Sequence, residues 1–316
     1  MNSLIGGYFE LELPMGGEFH KNAIRLNTGR NAFEYILRAR DYKKVFLPFY
    51  TCEAMLEPIN KLGLEYEFYH IDEFFLPVFD FSIISANDAF VYNNYFGICD
   101  SQVSEVSKVC KNLIVDNSQA FFSNPLPGVD TFYSPRKFFG LPDGAYLCSD
   151  KKLNTEFPRD ISYERCGHLL GRIDSGAEQF YDKFRENSKN LSGQPIKTMS
   201  NLTLKLLQSI DYNYIAKKRI ENFLYLHNAL KRHNKLDIKT ESNVIPMGYP
   251  FLADNGVGLK KELIERKIFI ATYWPNVFKW CDSSCYENWL AGNLLLLPTD
   301  QRYDESHIKQ LLRLIL

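Results

Sequence analysis

Between about residues 25 and 150, short apolar β-rich runs alternate with amphipathic stretches, and that alternation leaves few architectures open. Ala32, Phe33, Ile36 and Leu37 recur at a helical period within Asn31 to Arg40. Val45 to Phe49 reads as a buried strand, and Cys52 to Leu62 as a helix with Ala54, Met55, Ile59 and Leu62 on one side. Runs at 65–69, 89–92, 113–115, 131–133 and 144–148 read as further strands, with a helix around Ser101 to Cys110. Such a series predicts an α/β fold: a mostly parallel sheet flanked by helices, with ligands at the carboxyl ends of its strands. Asp116, Ser134 and Asn93-Asn94 fall at such ends.

Residues 151–200 are polar, carry Gly167, Gly171, Gly176 and Gly193, and read as a linker or surface loops. A long helical pattern follows from Ser200 to His233, then a helix near Leu259 to Arg266 and a β-like Ile268 to Ala271. Leu294 to Pro298 reads as a strand and Glu305 to Ile315 as a terminal helix. The expected division is a large domain at 1–200, including the N-terminal segment, and a smaller C-terminal α/β domain at 201–316.

The 316 residues are 45% hydrophobic, enough for a sizeable core, and the formal net charge of −1 provides no field to hold nucleic acid or an anionic membrane. The seven cysteines form no Cys-x-x-Cys. Cys281 and Cys285 stand four apart with no second ligand pair nearby in sequence, so no metal is expected. Reduced thiols, no leader-like N-terminus and no membrane-length apolar run lead to the expectation of a soluble cytoplasmic protein.

Two short segments carry the chemistry. Leu113-Ile114-Val115 delivers Asp116, with Gln119 three residues further; Thr131-Phe132-Tyr133 delivers Ser134 and Lys137. An acid that keeps a pyridine nitrogen protonated and an amine able to form a Schiff base are what pyridoxal phosphate (PLP) requires. Asp116 also suits a turn or cap, and most lysines are simply solvated. A partly desolvated Lys137 beside Phe138-Phe139 would have a lowered pKa. Arg136 is either an anion clamp or a solvated side chain. Thr28-Gly29-Arg30-Asn31 precedes an amphipathic helix, where a capping residue, a small residue and free N–H groups make an anion site. Asn94 is either a pocket wall or part of a turn with Gly97.

In order, these segments resemble the DegT/DnrJ-type sugar aminotransferases, a fold-type I PLP family. Thr28 to Ala32 is similar to its phosphate turn, and Leu47-Pro48 with Tyr50-Thr51 to its "P-x-x-T" strand end. Tyr95-Phe96-Gly97 is similar to "h-x-Y-G", and Val115 to Ala120 to "E-D-x-A-Q-A". Ser134 and Lys137 with Asp143-Gly144-Ala145 resemble its Schiff-base segment, although the family's serine-to-lysine step of five is three here. Leu297-Pro298 with Asp300 to Tyr303 is similar to its final strand.

The resemblance implies a homodimer in which Lys137 is the Schiff-base lysine, Asp116 pairs with the pyridine nitrogen and Gln119 contacts the ring oxygen. Thr28, Gly29, Arg30 and Ser134 would hold the phosphate, with Tyr50 (or Phe49) near the ring. Lys137 speaks against the dehydratase branch, which has histidine there. Asn94, Tyr273, Trp274 and Arg302 are candidate substrate contacts. The expected activity is transfer of an amino group, from a donor such as glutamate, to a keto sugar, nucleotide-linked, in polysaccharide or related biosynthesis. The alternatives are a small keto or amino acid substrate, or a non-catalytic binding or scaffold protein of the same fold.

Overall fold

The computed structural model describes residues 5–239 and 244–316, so Met1 to Leu4 of the N-terminal stretch lie outside the described residues. Eight strands form one sheet: β1 (Ile24–Leu26), β2 (Lys44–Pro48), β3 (Glu65–Ile71), β4 (Pro77–Val78), β5 (Asp88–Asn93), β6 (Leu113–Asp116), β7 (Asp130–Tyr133) and β8 (Ala145–Cys148). Their spatial order is β1-β8-β7-β6-β5-β2-β3-β4. The β3-β2-β5-β6-β7 block is parallel, and β8, β1 and β4 are antiparallel to their neighbours. The carboxyl ends of β2, β5, β6 and β7 therefore share one edge. The order reverses between β2 and β5, where open α/β sheets form a crevice.

Strand side chains alternate between two faces. Val45, Leu47, Ala89, Val91, Ile114 and Phe132 enter one core cluster, completed by Phe33, Ile36 and Leu37 of helix α1 (Gly29–Arg40). Phe46, Phe90, Tyr92, Leu113, Val115 and Tyr133 enter the other. Val103 and Val106 of α3 (Asp100–Val109) help to close that second face, while α2 (Leu56–Leu62) packs on α1. Thr28 caps α1 and Asp41 ends it in a left-handed conformation (φ 55°), with Arg38 and Arg40 at the negative end of its dipole. Burying each of Phe33, Ile36 and Leu37 stabilises the fold by about 1.5–3 kcal/mol.

Three expectations need correction. Residues 151–200 are not only a linker: they contain α4 (Gly167–Ser175) and α5 (Tyr181–Asn190), packed on each other. The pattern from 200 to 233 is two helices, α6 (Asn201–Gln208) and α7 (Tyr212–Leu230). Asp211 starts the second by accepting from the Tyr214 N–H at 2.9 Å. Ile268 to Ala271 is not a strand; the Ile268 N–H closes the end of α8 (Gly256–Glu265) on the Leu263 carbonyl at 2.8 Å.

The partner of β10 (Leu294–Pro298) is instead β9 (Gly248–Leu252), antiparallel to it. Short helices α9 (Val277–Trp280) and α10 (Tyr286–Asn293) precede β10, and α11 (Glu305–Ile315) packs on α7. This second ladder builds its own core from Leu226, Tyr249, Leu263, Leu295 and Ile308. Trp274, Val277 and Leu290 join the core of the large sheet. Among the described residues no helix is long and apolar enough to cross a membrane.

Candidate active site

Asp116 ends β6, where its carbonyl accepts from the Asn94 N–H at 3.1 Å and the next residue's N–H donates to Phe132 O at 2.9 Å. Its carboxylate is oriented by the Ser118 N–H, 2.7 Å from Oδ1. Burial raises the Asp116 pKa; the charge on Lys137 and the bond from Ser118 pull the other way. The opposition of these effects makes this carboxylate responsive to a further positive or N–H partner. Gln119 is fixed at one end only: Oε1 accepts from the Phe96 N–H at 2.9 Å, while the buried Nε2 has no partner among the described residues. Phe96 stands in the left-handed region (φ 55°), which turns its N–H towards Gln119.

A second group gathers around the start of α1. A Cβ on Gly29 would lie 3.8 Å from Ser118 Oγ and 3.8 Å from Ser134 Cβ. The first turn of a 12-residue helix thus faces two serines across a space a side chain would partly fill. Free N–H groups and hydroxyls make this a cradle for an anion. The Thr28 hydroxyl is occupied, accepting from the Asn31 N–H at 3.1 Å and donating to Asn31 Oδ1 at 2.6 Å, so Thr28 shapes the cradle. Arg30 pairs with Glu57 at 3.0 Å. Arg136 donates to Ser188 Oγ at 2.9 Å; burial, reinforced by the positive charge of Arg30, pushes its pKa down to about 10.

Lys137 closes a short 3₁₀ turn (Pro135–Lys137), its N–H bonded to Ser134 O at 3.2 Å. It is exposed, which corrects the expectation of a desolvated amine. Phe138 and Phe139 turn inward to pack on Phe121 and do not cover it. Lys137 instead lies on the wall of a cleft of about 360 Å³, shared with Arg136, His168, Arg172, Phe184 and Arg302. The lysine segment is held from behind: the Phe138 carbonyl accepts from Arg219 Nη2 at 3.3 Å and from Gln301 Nε2 at 3.0 Å.

The remaining candidates divide into separate groups. Tyr50 is wholly buried, its Oη without a partner among the described residues, stacked on Tyr95 at 5.7 Å and edge-on to Trp274 at 5.0 Å. Tyr273 packs edge-on to Phe96 at 6.0 Å, so Tyr50, Tyr273 and Trp274 belong to one aromatic wall near Gln119. Asn94 is used internally, donating to Asp100 at 2.6 Å and accepting from the Cys99 N–H at 3.1 Å. Arg302 is bonded to Asp300 at 2.7 and 2.9 Å and reaches the cleft from the far side. Sequence reading missed Ser118, Arg219 and Gln301. Ser118 lies inside the Asp116-Gln119 motif and Gln301 inside the Asp300 to Tyr303 segment, whereas Arg219 acts on a backbone carbonyl 81 residues away and left no signal.

No protein-family model matches the chain, and no curated protein is similar to it in sequence. Solved structures do resemble it. A DegT DnrJ EryC1 StrS aminotransferase from Brucella abortus superposes with a TM-score of 0.60 at 16% identity, covering 93% of this chain and 84% of that one. The sugar aminotransferase CalS13 from Micromonospora echinospora gives 0.59 at 15% identity, covering 93% and 86%. Spr1654 from Streptococcus pneumoniae, solved in its PLP form, gives 0.65 at 14% identity over 92% and 85%. The chain has the fold of these aminotransferases over nearly its whole length, consistent with the α/β architecture expected from the sequence.

Proposed function

We propose that this chain is a PLP-dependent aminotransferase acting on a keto sugar. The observation that carries the reading is the convergence, on one sheet edge, of Asp116, Gln119 with its Nε2 unpartnered among the described residues, the Gly29–Ser118–Ser134 cradle and Lys137, whose charge acts on Asp116. The residues fit PLP: the cradle, with Arg30 and Arg136 beside it, would take the phosphate, Asp116 would hold a proton at the pyridine nitrogen, and Gln119 Nε2 would donate to the ring oxygen. Tyr50 and its neighbours wall the ring. PLP, when bound, supplies an electron sink. Lys137 then has two tasks at its Nζ, nucleophile and proton carrier.

The substrate side of the reading is an amino donor such as glutamate and a nucleotide-linked keto sugar, in polysaccharide or related biosynthesis. The basic rim of the cleft, with Arg136, Arg172 and Arg302, supports an anionic substrate. The exposure of Lys137 supports a homodimer in which a second copy covers the amine. The reading places the protein in the cytoplasm, and its seven free cysteines suit that setting.

The test is the visible absorbance of purified protein with added PLP, wild type beside Lys137→Ala, followed by borohydride trapping and peptide mapping. The expected result is a band in wild type alone, reduced onto Lys137, that bleaches with glutamate. Turnover with free keto acids and none with nucleotide keto sugars would transfer the activity to small substrates; no band at all would leave a binding protein.

A further inference from the structure

Away from this site, Cys285 gains companions that the linear sequence did not offer. His70 at the end of β3 and Glu287 in the first turn of α10 fold against Cys285, and one donor atom from each of the three lies within 4.8 Å of the others. Cys281 lies outside this group, its thiol directed at the Val277 carbonyl at 3.6 Å. Glu287 is fully buried. Its Oε1 accepts from the Ile71 N–H at 2.7 Å, and His70 Nδ1 is 3.1 Å from both carboxylate oxygens. A buried carboxylate is stabilised only by charge or hydrogen bonds brought to it. Equidistance from both oxygens is poor geometry for a single N–H donor, yet close to the ~3.3 Å separating nitrogen and oxygen ligands on a tetrahedral zinc.

From this cluster we infer that His70, Cys285 and Glu287 form a binding site for a zinc ion, with the fourth position left to solvent from the adjoining cleft. The mixed imidazole, thiolate and carboxylate set favours a borderline-soft transition metal over magnesium or calcium, which take oxygen ligands. Binding releases the Cys285 thiol proton to solvent and involves no change of oxidation state. Entry is open: a cleft of about 440 Å³ exposes His70, Cys281 and Cys285 beside Phe49 and Trp280. The ligands come from two places, β3 of the large sheet and the segment before β10, so the ion ties the C-terminal segment to the sheet. None of these residues belongs to the proposed cofactor site, and the inference stands apart from the proposed reaction.

The experiment uses the full chain, reduced and stripped of metal by chelation. Zinc is titrated against a chromophoric chelator, and cobalt(II) is added separately as a spectroscopic probe. The expected result is one equivalent of zinc per chain, a thiolate-to-cobalt charge-transfer band, and a rise in Tm with zinc. Cys285→Ser removes the band and weakens zinc binding more than about tenfold; His70→Gln weakens it similarly while keeping a thiolate band. Half-exposed His70 tolerates substitution, so His70→Gln decides the matter if the cysteine variant does not fold. No stoichiometric uptake, or equal affinity in wild type and both variants, overturns the site and leaves a plain His70–Glu287 hydrogen bond.

Discussion

The Gln119 side chain is held by the Phe96 N–H at 2.9 Å, and that single bond fixes which end of the amide is left for the proposed cofactor. Because a backbone N–H can only donate, Oε1 is committed to Phe96 and Nε2 is left as a directed donor. Replacing Gln119 with Leu removes both functions. Leaving the buried Phe96 N–H unpaired should cost about 1–3 kcal/mol of stability. Urea unfolding of the cofactor-free protein measures this, and PLP titration of the same variant should show weaker binding.

Asp116→Asn should separate stability from activity. Burial raises the folded-state pKa of Asp116 above its unfolded value, so its contribution to stability is fully present below the ordinary carboxylate range and is lost as pH rises through the folded value. Near neutral pH the ionised group is a liability in the cofactor-free protein. Asparagine keeps an Oδ1 for the Ser118 N–H and carries no charge. The variant should unfold at higher urea than wild type at pH 7.5, with the advantage shrinking by pH 4, while aminotransferase turnover collapses. An equal difference at both pH values would contradict the assignment.

Gly29→Ala tests the anion cradle. The added methyl meets nothing closer than 3.8 Å, so folding is undisturbed, and removing a helical glycine gains up to about 1 kcal/mol. The same methyl enters the space facing Ser118 and Ser134. Thermal melting should show an unchanged or raised Tm, while the apparent Kd for PLP rises.

Asp143 joins the segment after Lys137 to the helices that follow. It is buried, accepts from Arg165 Nε at 2.9 Å and from the Thr203 hydroxyl at 2.5 Å, and Arg165 also reaches Asp160 at 2.5 Å. Asp143→Ala leaves the guanidinium and the hydroxyl under-partnered in a part-buried site, and should cost about 3–5 kcal/mol in chemical unfolding. Asp143→Asn, which keeps the shape and one acceptor, should cost less.

What the sequence revealed follows from how far apart the interacting parts lie. Asp116 and Gln119 are neighbours on one loop, and the strand before them is an apolar run, so the sheet edge and their place on it were legible. Helices α4 and α5 were not, because glycine and polar residues suppress a helical pattern. Gly171 is there for packing: a Cβ would stand 2.1 Å from the Phe180 ring of the next helix approach. Strand β9 was hidden by Pro250, tolerated because the ladder has only two strands. Contacts such as His70 to Glu287 join residues 217 positions apart, and no spacing rule reaches that far.

The two donors on the Phe138 carbonyl have a consequence for how the protein can be taken apart. Arg219 comes from α7 and Gln301 from the turn before α11, so the backbone beside Lys137 takes its position from chain beyond residue 200. A fragment ending at residue 200 would retain every strand of the large sheet and still leave the Lys137 segment unanchored. The C-terminal part is therefore a splint for that segment, and under the proposed reaction its damage would be felt first as a loss of rate.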